Sequence, residues 1–183
     1  MKRNVIMLTL LYMVILLFLV ACSNTEQKKA TSMQQEIRNL THHQKYSAEV
    51  WDDLGIRDRW LLLLEYERDV EAIMGLDPIN VVPFLDESTT VVGFYSHTER
   101  FLYLSKILLI DRDLALAVVR HEMRHYYQNV LCDNLPKNNT DIATKTIELW
   151  DEYRKTESLI HSSSEYYSLP LEEDAYYWEI ITN

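Results

Sequence analysis

The feature that most constrains this chain is His121-Glu122-Met123-Arg124-His125, near the middle of its longest helical pattern. Residues four apart on a helix stand one turn above each other on the same face. Two imidazoles at that spacing can grip one metal ion. Glu122, one position round the helix, can reach a water on that metal without ligating it, which is the H-E-x-x-H zinc signature. Leu114, Val118, His121, His125, Gln128 and Cys132 follow one another at alternating spacings of four and three. They form one stripe, and its upper half is expected to be apolar and core-facing. Imidazoles projecting from a buried face need a partner, and a metal supplies one. Asp111 is placed to cap this helix, with Asp113 favourable in its first turn.

Two histidines do not complete a zinc site, because catalytic zinc usually takes three protein ligands and leaves one position for water. After His125 the chain reads Tyr-Tyr-Gln-Asn-Val-Leu, so no third histidine follows at metzincin spacing. The remaining ligand is expected further along, as a carboxylate on another helix. Glu148, Glu157, Glu165, Glu172, Glu173 and Asp174 are open to that role, and His161 lies outside the favoured set. Cys132 continues the stripe and reads as a buried, inert thiol. His42 and His43 are adjacent and read as solvated surface, and His97 reads as the tip of a turn.

The first residues read as a targeting segment. Lys2 and Arg3 precede an apolar run from Val5 to Val20, which stops at Leu19-Val20-Ala21-Cys22 before polar Ser23. Basic head, apolar core and small-residue cleavage site make a signal peptide over residues 1–21. Its ending resembles a bacterial lipobox, which implies cleavage before Cys22, lipid on that residue, and a body tethered to the extracytoplasmic face of a membrane. Residues 23–32 read as a polar tether. The net charge is −10, and removing Lys2 and Arg3 takes it to −10 − 2 = −12. That acidity argues against nucleic acid as a partner. Cys132 would be left without an intramolecular disulfide partner, so packing must stabilise the domain.

About 160 residues would remain, enough for a real core, and few Gly and Pro point to a helix-rich fold. Residues 33–183 are expected to form one monomeric domain. Met33 to Tyr46 reads as a weak helix, and Ile56 to Met74 as a core helix stopped by Gly75. Asn80 to Leu85, with Pro83 marking an edge or bend, Thr90 to Tyr95 and Arg100 to Leu104 read as three strands. The last two form a hairpin through Ser96-His97-Thr98-Glu99. Asp133 to Thr140 reads as a loop, and Asp141 to about Leu159 as a helix. Leu171 to Ile181 reads as the last helix, with Pro170 in its first turn.

A strand hairpin, an H-E-x-x-H helix, then a helix with an acidic cluster before Ala and aromatics resembles the zincin metallopeptidases. The pattern is distantly similar to the compact ImmA/IrrE-type and gluzincin-like domains, over roughly Ile56 to the C-terminus. In that type the third ligand is a Glu three residues before the Ala of an E-x-x-A segment. Pro170-Leu171-Glu172-Glu173-Asp174-Ala175-Tyr176-Tyr177-Trp178 matches it, which implies Glu172 as ligand. The aromatics after Ala175 depart from the type.

The resemblance implies an α+β, zincin-like fold with a small sheet packed on helices, and a zinc metallopeptidase acting on a peptide or protein. Glu122 would be the general base, His121, His125 and Glu172 the zinc ligands. Asp174 would orient a ligating histidine or, with Glu148, stand as alternative ligand. An edge strand could hold an extended substrate. Tyr126, Tyr127, Tyr166 and Tyr167 are candidates for a second oxyanion donor, though each reads first as packing. The competing expectation is a lipoprotein that keeps this fold as a binding or structural zinc module.

Overall fold

The computed structural model describes residues 28–85, 91–134, 142–156 and 169–181; within the last two segments, side chains are described for 145–152 and 169–178. The chain divides into two units, Met1–Met33 and Gln34–Asn183. The signal peptide and Cys22 lie outside the described residues. So does the tether up to residue 27, whereas residues 28–32 are helical rather than irregular.

The architecture is α+β. Among the described residues there are six α-helices and one three-stranded mixed sheet: α1 (residues 28–41), α2 (Ala48–Asp53), α3 (Ile56–Met74), β1 (Asn80–Phe84), β2 (Gly93–Ser96), β3 (Phe101–Ser105), α4 (Arg112–Asp133), α5 (Ile142–Thr156) and α6 (Pro170–Ile181). None of the described helices is long and apolar enough to cross a membrane.

The helix ends follow from local chemistry. Asp111 caps α4, its carboxylate accepting from Leu114 N at 3.1 Å. Gly75 closes α3 at φ 68°, a left-handed conformation that suits a residue without Cβ. The Gly75 and Leu76 amides then bond the Ala72 and Glu71 carbonyls, a Schellman ending. The expected helix Met33–Tyr46 is broken: α1 stops at residue 41, and a 3₁₀ turn, Gln44–Tyr46, follows. Ser47 then accepts from Val50 N and starts α2, which the apolar pattern did not reveal.

The strand order is β1-β3-β2. β2 and β3 form the expected antiparallel hairpin, while β1 joins β3 in parallel. Pro83 sits on the edge strand β1, where a missing ladder donor is tolerated. Arg100 is not a strand residue; at φ 57° it closes the turn, its amide bonding Ser96 O at 2.7 Å. Leu102 and Leu104 of β3 are fully buried, alternating with half-buried Phe101 and Tyr103. Each such leucine is worth about 2 kcal/mol of burial.

α4 is the hub, packing against α3, α5, α6 and β2. Its Ala115, Leu116, Val119 and Met123 join Leu63, Tyr66, Val70 and Leu108 in the core. The stripe shifts at its start: Leu114 is 41% exposed, and the core side begins with Ala115 and Val118. The first turn of α4 therefore faces solvent. β2 lies so close to α4 that a Cβ on Gly93 would stand 2.5 Å from Val118 Cγ1. Only glycine permits that approach, and it carries β2 alongside the H-E-x-x-H turn.

Candidate metal centre

α4 presents His121 and His125 one turn apart, and α6 brings Glu172 against them. The His121 and His125 Nε2 atoms are 3.1 Å apart. Glu172 Oε2 lies 3.3 Å from His121 Nε2, and Glu172 Oε1 lies 3.2 Å from His125 Nε2. One ligand atom from each residue can be chosen so that all lie within 4.8 Å of one another. A tetrahedral ion with bonds of about 2.0–2.1 Å would place its ligands about 3.3 Å apart, close to the separation of the two nitrogens, while the two Glu172 distances end on different oxygens of one carboxylate. The donor chemistry points the same way. Two imidazole nitrogens and a carboxylate converge on one another, and a shared cation could take the place of the protons between them. The group can hold a metal ion.

The site is closed on the protein side. Glu172 is 3% exposed, and the two imidazoles 17% and 16%, so the rings open to solvent only at an edge. Burial lowers the affinity of His125 for a proton, but the hydrogen bond and charge of Glu172 and the charge of Glu122 outweigh it and raise its pKa. Burial likewise raises the Glu122 carboxyl, against the lowering charges of His125 and His121.

Glu122 is held from the sheet. Its Oε2 accepts the Tyr95 amide at 2.8 Å. The hairpin uses the Val92 and Ser96 carbonyls towards β3 and the turn, so the intervening odd-numbered amide points to the open edge of β2. Tyr95 itself is buried; its hydroxyl accepts from Asn129 Nδ2 at 3.2 Å and its ring packs on Tyr126.

A second polar group backs the histidines. Gln128 Oε1 lies 2.9 Å from His125 Nδ1, and Gln128 Nε2 donates to Leu171 O at 3.0 Å and to Asp174 Oδ2 at 2.7 Å. Asp174 lies outside the His121, His125 and Glu172 group and reaches His125 through Gln128. It takes Arg124 Nε and Nη2 at 2.6 and 3.2 Å. The Arg124 guanidinium also lies over the Trp178, Tyr127 and Trp150 rings.

The other residues singled out in the sequence fall elsewhere. Glu148 is exposed on α5 and Glu173 is exposed on α6, both outside the cluster. Glu157, His161, Glu165, Tyr166 and Tyr167 lie outside the described residues. Cys132 is buried beside Trp150 and Leu171, and its thiol donates to Ile147 O at 3.6 Å. Tyr126 donates its hydroxyl to Asp77 O, and Tyr127 packs on Arg124. His42 and His43 are exposed, and His97 sits in the hairpin turn.

Spacing alone did not assign a role to Gln128 or to Arg124. Gln128 lies on the histidine stripe, three residues beyond His125, and that was the available signal. Arg124 carried none, since a cation inside H-E-x-x-H reads as solvated until α6 covers it. Comparison of the chain with protein-family models, curated proteins and solved structures finds no match in any of the three.

Proposed function

We propose that this protein is a zinc metallopeptidase of zincin type, tethered through Cys22 to the extracytoplasmic face of a bacterial membrane. The observation that carries the reading is the convergence of His121 Nε2 and His125 Nε2, 3.1 Å apart, on the Glu172 carboxylate, whose Oε2 and Oε1 lie 3.3 and 3.2 Å from them respectively. Two imidazoles and one carboxylate are the protein donor set of many catalytic zinc sites. When bound there, zinc activates water and polarises a carbonyl.

The chain's own residues supply the rest. Glu122 accepts a proton from the water that attacks the peptide carbonyl carbon. As the C–N bond breaks, Glu122 returns that proton to the leaving amine. The Tyr95 amide holds one carboxylate oxygen of Glu122 and so leaves the other for proton transfer. β2 is an edge strand beside this carboxylate, which supports binding of an extended peptide by strand addition.

The presence of a buried carboxylate next to the ligands favours an enzyme over a structural zinc module, which needs no base there. Glu122→Gln tests the choice. The variant should keep its zinc and lose peptide hydrolysis by at least about a hundredfold. Hydrolysis unchanged in Glu122→Gln would remove the base from the mechanism. A parent that binds zinc but cleaves nothing across a peptide library would leave a binding module.

A further inference from the structure

We infer that Gln128 is a positioning residue that selects which nitrogen of His125 faces the metal. The inference rests on the metal-centre reading above and adds a residue to it. Gln128 is 1% exposed, so the directions of its amide are set by protein groups rather than by water.

The geometry leaves the amide one orientation. Leu171 O and Asp174 Oδ2 are both acceptors, and both lie within hydrogen-bond distance of the same end of Gln128. That end must be the NH₂ group, since an amide oxygen there would face two acceptors with no hydrogen between them. The other end is then the carbonyl oxygen, 2.9 Å from His125 Nδ1. A carbonyl oxygen can only accept, so Nδ1 must carry the proton. Nε2, which points at His121 and Glu172, is then the nitrogen that would give its lone pair to a metal.

The same three bonds join the two halves of the site. Gln128 and His125 belong to α4, whereas Leu171 and Asp174 flank Glu172 on α6. The residue that orients the second histidine is thus tied to the segment that delivers the carboxylate ligand. Asp174, expected to touch a histidine itself, acts one bond further out, through Gln128.

The test is zinc affinity and the His125 Nδ1–H signal, measured on the full chain solubilised in detergent. Affinity is read by competition with a chromophoric chelator, and the proton by NMR of ¹⁵N-histidine-labelled, zinc-loaded protein. The parent should show a slowly exchanging Nδ1–H on His125. Gln128→Leu should bind zinc about 10- to 100-fold more weakly and lose the slow exchange of that proton. A Gln128→Leu protein with parental affinity and an unchanged Nδ1–H signal would overturn the inference while leaving the metal centre standing. Should Gln128→Leu fail to fold, Gln128→Met serves as the apolar variant under the same expectations. A parent that takes up no zinc would overturn the metal reading and this inference together.

Discussion

Arg124 and Asp174 form a two-point ion pair between α4 and α6, with Nε–Oδ2 at 2.6 Å and Nη2–Oδ1 at 3.2 Å. Arg124 is 9% exposed at its side chain, so removing its partner strands a cation away from water. Asp174→Ala should therefore cost about 3 kcal/mol in urea unfolding. Arg124→Lys should keep little of the pairing, because an ammonium can neither bridge both oxygens nor lie flat on Trp178. A loss below about 0.5 kcal/mol for Asp174→Ala would mean that the aromatic faces alone hold the guanidinium.

The contact between Gly93 and Val118 makes a separate prediction. Gly93→Ala inserts a Cβ 2.5 Å from Val118 Cγ1, a distance no packed pair tolerates, so either the Val118 side chain turns away or β2 and α4 separate. The cost should be about 1–3 kcal/mol. Val118→Ala removes the obstructing methyl, and the double variant should then be more stable than the sum of the single losses predicts. Strict additivity of the two substitutions would show that the strand does not rest on Val118.

Much of this arrangement was legible because it is local. The H-E-x-x-H turn, the Asp111 cap, the Gly75 stop and the β2–β3 hairpin each depend on residues within a few positions of one another. What escaped depends on distant segments. The parallel pairing of β1 with β3 skips a strand, and no period in β1 encodes it. α2 is short and starts on a single serine. Leu114 has the right spacing for the stripe, but the core does not reach the first turn of α4. Glu172 was reached only through the resemblance, since six acidic residues were equally open by residue type and position. Its meeting with His121 and His125 is a tertiary fact. Asp174 shows the same limit: its neighbourhood was right, and its partner was not.

Glu67 and Glu71 form a buried acidic pair one turn apart on α3, and burial, then the hydrogen bond and charge of Glu71, push the Glu67 carboxyl up to about 9. Arg68 opposes the shift. A carboxyl with a raised folded pKa holds a proton that the unfolded chain has released. Its contribution to stability is full below the ordinary value of 4.5 and falls as pH rises towards 9. Glu67→Gln removes this dependence. The difference in melting temperature, variant minus parent, should grow steadily from pH 5 to pH 9. A constant difference across that range would show that Glu67 ionises as it does in the unfolded chain.

The lipid anchor has its own test. Cys22→Ser removes the thiol to which lipid would attach, while leaving the apolar run from Val5 to Val20. If Cys22 is the anchor point, the parent incorporates labelled palmitate and the variant does not. Equal incorporation would rule out Cys22 as the lipid-bearing residue.

Zinc should also appear in the stability of the protein, because the ligands come from two helices that meet only when α6 is docked. An ion that binds the folded chain alone stabilises it by RT ln(1 + [L]/Kd), about 2.7 kcal/mol at a hundredfold excess over Kd. The metal-free parent should therefore gain several degrees in melting temperature on adding zinc. His121→Ala should lose that gain entirely. Glu172→Ala should lose most of it, since two imidazoles remain without the carboxylate that closes the triangle. Glu148→Ala should respond as the parent does, because Glu148 faces solvent on α5. Zinc stabilisation that survives Glu172→Ala undiminished would take the third ligand away from α6, and with it the coupling between helix docking and the metal.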